Sequence, residues 1–227
     1  MHSVLNWKIW LVATWTCCVA IVGVRLLTGA DLLPALQSGV SLTSLLVTVF
    51  VVTPLWRALW FVPWFKEKAP LLDGEWTGVV RSNWSIIEAT KSAAKQAGAP
   101  SVDLDGLDAP RPALFEVPVR ARIRCSFFAL SLELESDGDR YQTSSLKSVQ
   151  LKPTSEGSPA TLRYIFEGRV LQPKAGDASC FDGAASLSIR RNDRGVLVME
   201  GPTWTNRAWE RGLNTAGVIR LEKTTSA

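Results

Sequence analysis

A chain of 227 residues, 47% of them apolar, has room for one modest domain plus a membrane segment. Residues 1–68 hold five of the 25 Lys and Arg and two of the 21 Asp and Glu, which leaves 20 basic against 19 acidic residues beyond them. That later part is almost neutral, so the net charge of +4 supplies no broad basic face for nucleic acid, and any anionic ligand must be met by a local cluster. The only histidine, His2, stands at the amino terminus. A Ser/His/Asp triad, a His-based metal site and a Cys/His dyad in the later part are therefore excluded. The sequence has no G-x-x-x-x-G-K-[ST] loop, no G-x-G-x-x-G after a strand, and no acid pair that stands out from the turns. It reads as non-enzymatic.

Ile9 to Val24 carries no charge, with Trp7 and Trp10 at one end and Arg25 at the other, and is long enough to cross a bilayer. Leu32 to Trp56 is a second uncharged run, followed by Arg57 and the aromatic cluster Trp56, Trp60, Phe61, Trp64 and Phe65, which suits the headgroup level. A signal peptide ending near Ala30 is the rival reading, but the second apolar run would itself still need a membrane. Lys8 precedes the first run, and Arg57, Lys66 and Lys68 follow the second. Both ends are therefore expected in the cytosol, with a short hairpin outside. Thr14, Thr16, Ala20, Gly23, Ser38, Gly39, Ser41, Thr43, Ser44 and Thr48 suit helix–helix contact, self-association included, with a plain lipid anchor as the alternative. Cys17 and Cys18 are adjacent, while Cys125 and Cys180 lie far apart, so no metal-ligand spacing exists. A reducing compartment fits best, with a Cys125–Cys180 disulfide as the alternative.

Pro70 ends any helix in the linker Lys66 to Pro70, and strands begin at once in LLDGEWTGVVRSNW, Leu71 to Trp84. Alternation places Trp76, Gly78, Val80, Ser82 and Trp84 on one side, as in the first strand of a small barrel plugged by a large ring. Ser85 to Ala97 reads as a short alanine-rich helix and Gly98 to Pro112 as a loop, together an insertion over 85–112. From Phe115, Val117, Val119, Ala121, Ile123 and Cys125 alternate with Arg120, Arg122 and Arg124. The apolar phase changes between Cys125 and Phe128, which suggests a bulge or bend. Asp137-Gly138 signals a hairpin. Strands follow over Arg140–Leu151, Ala160–Val170, Gly183–Arg191, Gly195–Thr205 and Thr215–Lys223. The expected fold is a membrane protein: two N-terminal transmembrane α-helices over 1–68, then an all-β domain over 69–227. The latter is an up-and-down barrel of about eight strands. A sandwich is the alternative topology.

The chain resembles the two-transmembrane, β-strand-rich effectors that accompany SMODS-type nucleotidyltransferases in anti-phage CBASS operons. The resemblance spans nearly the whole length. It rests on the paired spans followed by Leu72-Asp73-Gly74-Glu75-Trp76-Thr77-Gly78, on Leu162-Arg163-Tyr164-Ile165-Phe166, and on Cys180-Phe181-Asp182-Gly183-Ala184-Ala185-Ser186-Leu187. It rests also on Gly201-Pro202-Thr203-Trp204-Thr205-Asn206-Arg207 before Gly217-Val218-Ile219-Arg220-Leu221. The resemblance implies a lipocalin-like barrel that binds a cyclic di- or trinucleotide made during infection, a homo-oligomer on activation, and disruption of the inner membrane that kills the host cell.

Such a ligand needs cationic or N–H groups for its phosphates and flat surfaces for its bases. The candidates are Tyr141, Tyr164 and Trp204 for stacking, and Arg124, Arg163 and Arg207 for phosphate. Thr143, Ser144, Ser145, Thr205 and Asn206 offer hydrogen bonds to its edges. Each aromatic has a core role as its alternative, and each arginine a solvated one. Arg207 is favoured because the resemblance and the chemistry both point to it, and Arg120 and Arg122 stay open as alternatives. The competing functions are a membrane-tethered carrier of a lipid or other hydrophobic ligand, which calls for a wholly apolar lumen, and a self-filled barrel that only scaffolds a partner.

Overall fold

The computed structural model describes residues 7–95, 113–136, 141–171, 179–207 and 209–224, with the side chains of 7–9 and 141–145 excepted. The expected loop at 98–112 and the Asp137-Gly138 turn lie outside them. Two compact units result. One comprises Met1–Leu71 with Cys125–Leu130, the other Leu72–Arg124 with Ser131–Ala227.

The first unit is helical. Helices α1 (Trp7–Leu27) and α2 (Leu32–Val52) each hold a stretch long and apolar enough to span a membrane. Gly29, at φ +89°, turns the chain between them. Ala35, Gly39 and Thr43, spaced four apart, form the buried stripe of α2. A Cβ on Gly39 would run into the Val22 side chain, so only glycine permits this approach of α1 and α2. The helix stops at Val52 rather than at Trp56, because Pro54 cannot donate and disfavours helix in the residue before it. The Thr53 hydroxyl then accepts from Leu55 N (3.4 Å) to open a 3-10 helix, Pro54–Phe61. Helix α3 (Pro63–Lys68) ends just before Pro70, as the linker composition led us to expect. Of the expected aromatic cluster, Trp56 meets Trp60 and Trp60 meets Phe65, each at 5.8 Å between centroids, and Trp64 meets Phe65 at 4.9 Å, while Phe61 is exposed.

The second unit is a closed antiparallel barrel in which each strand pairs with its sequence neighbours and the last pairs with the first. Its strands are β1 (Gly74–Ser82), β2 (Phe115–Cys125), β3 (Leu130–Ser136), β4 (Tyr141–Lys152), β5 (Thr161–Val170), β6 (Cys180–Arg191), β7 (Leu197–Thr205) and β8 (Ala216–Lys223). Helix α4 (Trp84–Lys95) follows β1, where a short helix was expected. The phase change after Cys125 is not a bulge but a chain reversal. Ser126 N donates to Ala129 O (2.8 Å) and Ala129 N to the Ser126 hydroxyl (2.9 Å), which restarts the alternation in β3. Neither Cys125, which is buried, nor Cys180, which is exposed, is in a disulfide, so the alternative pairing is not formed.

Period-2 burial fixes the inner face. Val119, Ala121 and Ile123 of β2 point inward and Arg120, Arg122 and Arg124 outward. Arg122 pairs with Glu75 (2.5 Å) and Arg81 with Glu116 (2.7 Å), both across the β1–β2 ladder and both exposed. The interior is graded along its axis. At one end Trp76, Leu162, Leu187, Met199 and Leu221 are fully buried, with Trp76 opposite the small Ala121. Toward the other end the inward Val80, Ser82, Thr203 and Thr205 are only half-buried.

Gly78 and Gly217 carry the tight coiling of β1 and β8. A Cβ on Gly78 would collide with the Arg220 carbonyl, and one on Gly217 with that of Arg81. Because the obstacle is backbone, Gly78→Ala is expected to lower stability by about 1–3 kcal/mol, the range of overpacked sites, in urea denaturation.

Candidate functional site at the barrel mouth

The half-buried end of the barrel gathers the site. Its wall is shaped by a reciprocal pattern on β5 and β6: Phe166 stands opposite Gly183, and Gly168 opposite Phe181. Each ring lies across its partner glycine, where a Cβ would strike it. The rings thus pack against the backbone of the neighbouring strand.

Beyond β7 the chain is held by two short clamps. Asp182 N donates to Asn206 Oδ1 (2.7 Å) while Asn206 N donates to Asp182 O (2.8 Å). Thr205 N donates to Thr215 O (2.8 Å), and the Thr205 and Thr215 hydroxyls share a bond of 2.8 Å. These fix the turn that presents Arg207, whose backbone N–H faces the Thr205 hydroxyl at 3.4 Å. Arg207 is only 9% exposed. Its guanidinium carbon lies 5.8 Å from the ring centroid of Trp84 and 5.8 Å from that of Phe181. Trp84 is set in place from the other side: Asn83 N donates to Ala216 O (2.9 Å), and Ala216 N to Asn83 Oδ1 (3.0 Å), pinning the start of α4 to β8. The result is a nearly buried guanidinium within cation–π reach of two aromatic rings. Such a group combines a bidentate donor for phosphate with flat surfaces for bases.

The sequence-derived candidates divide on this geometry. Arg207 and Thr205 come together at the mouth, and Tyr164 is buried deeper on the same inner wall, its ring 5.8 Å from that of Phe166. Asn206 is exposed, and its amide oxygen is spent on the turn. Arg163 and Arg124 are exposed on the outer face, and Trp204, 49% exposed, is also outside, so these three do not join Arg207. Tyr141 and Thr143 occupy β4 positions opposite Val170 and Gly168; their side chains, with those of Ser144 and Ser145, lie outside the described residues. Trp84 and Phe181 were missed as site residues. Both had a signal: Trp84 continues the inward alternation from Trp76, and Phe181 stands two residues before an inward glycine.

A cavity of about 400 Å³ at the β6 edge is bordered by Lys147, Glu167, Asp182, Trp209 and Glu210, and also by Phe181 and Asn206. Lys147 donates to Asp182 (2.5 Å), which raises its pKa, and three carboxylates against one ammonium disfavour phosphate there.

Burial alone pushes the Tyr164 hydroxyl well above its ordinary pKa. The folded state therefore keeps the proton that the unfolded chain releases near pH 10. Stability from this group is complete below about pH 10 and is lost as pH rises further toward the folded value. The expected result is alkaline destabilisation that Tyr164→Phe removes, read from melting temperature between neutral and high pH.

Fold and site together define a class: a pair of long apolar helices joined to a closed up-and-down barrel whose one mouth carries a stacked arginine. No family model matches the chain. It is 28% identical over 193 residues to CD-NTase-associated protein 15 of Escherichia albertii, a match that covers 84% of this chain and 82% of that protein. The resemblance to the two-transmembrane, β-strand-rich effector family is thereby borne out.

Proposed function

We propose that the chain is a membrane-anchored, non-catalytic effector of anti-phage defence that senses a cyclic oligonucleotide at the barrel mouth. Arg207 contacts phosphate, and Trp84 and Phe181 offer their faces to the bases, with Thr205 and Thr215 at the ligand edges. Tyr164 continues the inner wall, and Tyr141 and Thr143 are further candidate contacts at their β4 positions opposite Val170 and Gly168. The observation that carries this reading is the nearly buried Arg207 guanidinium, 5.8 Å from the ring centroids of both Trp84 and Phe181. The similarity to a CD-NTase-associated protein supports a functional link to a nucleotidyltransferase that makes the ligand. Binding promotes homo-oligomerisation, and the clustered helices disrupt the inner membrane in which 1–68 is anchored, with the barrel and both termini cytoplasmic.

The test is thermal melting of the full-length protein in detergent against a panel of cyclic di- and trinucleotides. A ligand at 100 times its Kd that binds only the folded state adds about 2.7 kcal/mol, an easily visible shift. A shift with one nucleotide identifies the signal. No shift with any of them, on folded protein, would sink direct nucleotide sensing and leave the lipid-carrier and scaffold readings.

A further inference from the structure

Helix α2 carries two different stripes. Ala35, Gly39 and Thr43 are buried and approach α1 through Val22 and Cys18. Gln37, Ser41, Ser44 and Thr48, at spacings of four, three and four, fall within an arc of about 60° of an ideal helix. That arc lies on the side away from Ala35, Gly39 and Thr43, and all four residues are exposed. The stripe therefore contributes nothing to the packing of α1 on α2. Thr48 meets part of its own need by donating to Ser44 O (2.8 Å). Gln37 differs. Among the described residues its primary amide has no hydrogen-bond partner, and a helix backbone offers it none in return, since its groups bond one another.

We propose that this polar stripe is the surface through which α2 associates with α2 of a second copy of the same chain. The inference rests on the reading of α2 as membrane-spanning. In hydrocarbon an amide without a partner is costly, and no water is available to supply one. The partner has to offer donors and acceptors together, over the same span of helix. Hydroxyls and primary amides are both at once, so the stripe is complementary to itself. A copy in the same orientation, related by an axis along the membrane normal, sets Gln37 beside Gln37 and the hydroxyls beside hydroxyls. Serine and threonine are also small enough to let two helices approach closely.

The test is site-directed cross-linking of the full chain in bilayers. Cys17, Cys18, Cys125 and Cys180 are replaced, and one cysteine is returned at Ser41→Cys, Ser44→Cys or Leu42→Cys. Leu42 is exposed as well, at 45%, but lies well off the stripe. Oxidation is expected to give covalent dimer at positions 41 and 44 and little at 42. Adding Gln37→Leu is expected to move the monomer–dimer equilibrium roughly tenfold toward monomer, the scale of one such interhelical bond. Equal cross-linking at all three positions, or none, would overturn the inference. A chain released from the membrane by alkaline carbonate would overturn the membrane reading and the inference with it. Energy transfer between labelled copies that keep their native cysteines gives the same comparison without the cysteine replacements. Transfer unchanged by Gln37→Leu with Ser41→Leu counts against the stripe.

Discussion

Arg207→Ala is expected to leave the barrel folded and to abolish the ligand-induced rise in melting temperature. The side chain is nearly buried and within cation–π reach of Trp84 and Phe181, so most of the freedom lost on binding is already lost in the free protein. Removing one partner of a desolvated charge pair costs about 2–5 kcal/mol, so the Kd is expected to rise by a factor of roughly 30 or more. Titration calorimetry on the full-length protein reads this directly. Arg207→Lys keeps the charge but loses the planar fork and the stacking, so it is not expected to rescue binding. A variant that bound as well as the parent would remove Arg207 from the site. The two aromatic contacts are worth about 1 kcal/mol each when partly desolvated, so a loss of folding stability of at least that order accompanies the loss of binding.

Trp76→Ala is expected to be the most damaging single change in the barrel. The ring is fully buried, and its Nε1–H donates to Leu72 O (2.9 Å). Losing a buried tryptophan to alanine costs about 3–5 kcal/mol, against a total stability of about 5–15 kcal/mol for a typical domain. Trp76→Phe keeps most of the volume but loses the hydrogen bond, at about 1 kcal/mol plus the fit of the ring. Urea denaturation of the two variants separates packing from bonding. If Trp76→Ala unfolds like the parent, the ring is not the plug of the closed end.

Much of this was legible in the sequence, for reasons that can be named. Alternation in β1 put Trp76, Gly78, Val80 and Ser82 on one side, and the structure turns that side inward. The same alternation in β5, Leu162, Tyr164, Phe166 and Gly168 against Arg163 and Glu167, already held Arg163 outside. The search for phosphate ligands kept it among the candidates. Trp204 was harder, because Leu197, Val198 and Met199 are buried in succession and blur the phase of β7 before it reaches the site. The Trp84–Arg207 approach joins two residues 123 positions apart in the chain. It depends on the pairing of β1 with β8, which no local pattern encodes. The reversal at Ser126–Ala129 escaped for a simpler reason: its tight turn contains no glycine, proline, asparagine or aspartate to announce it.

The ladder between β1 and β8 also gives this protein a clock. The first strand is made early on the ribosome, yet its second neighbour begins at Ala216. At roughly 5–20 residues per second, the 134 residues from Ser82 to Ala216 take on the order of 7–27 s to synthesise. Through that interval β1 keeps one bare edge, and a nascent chain cut short there ends with an open sheet in place of a barrel. The approach of Trp84 to Arg207 waits on the same strand, since Asn83 is pinned to Ala216. A chain interrupted before β8 presents an aggregation-prone edge to the cell's quality control.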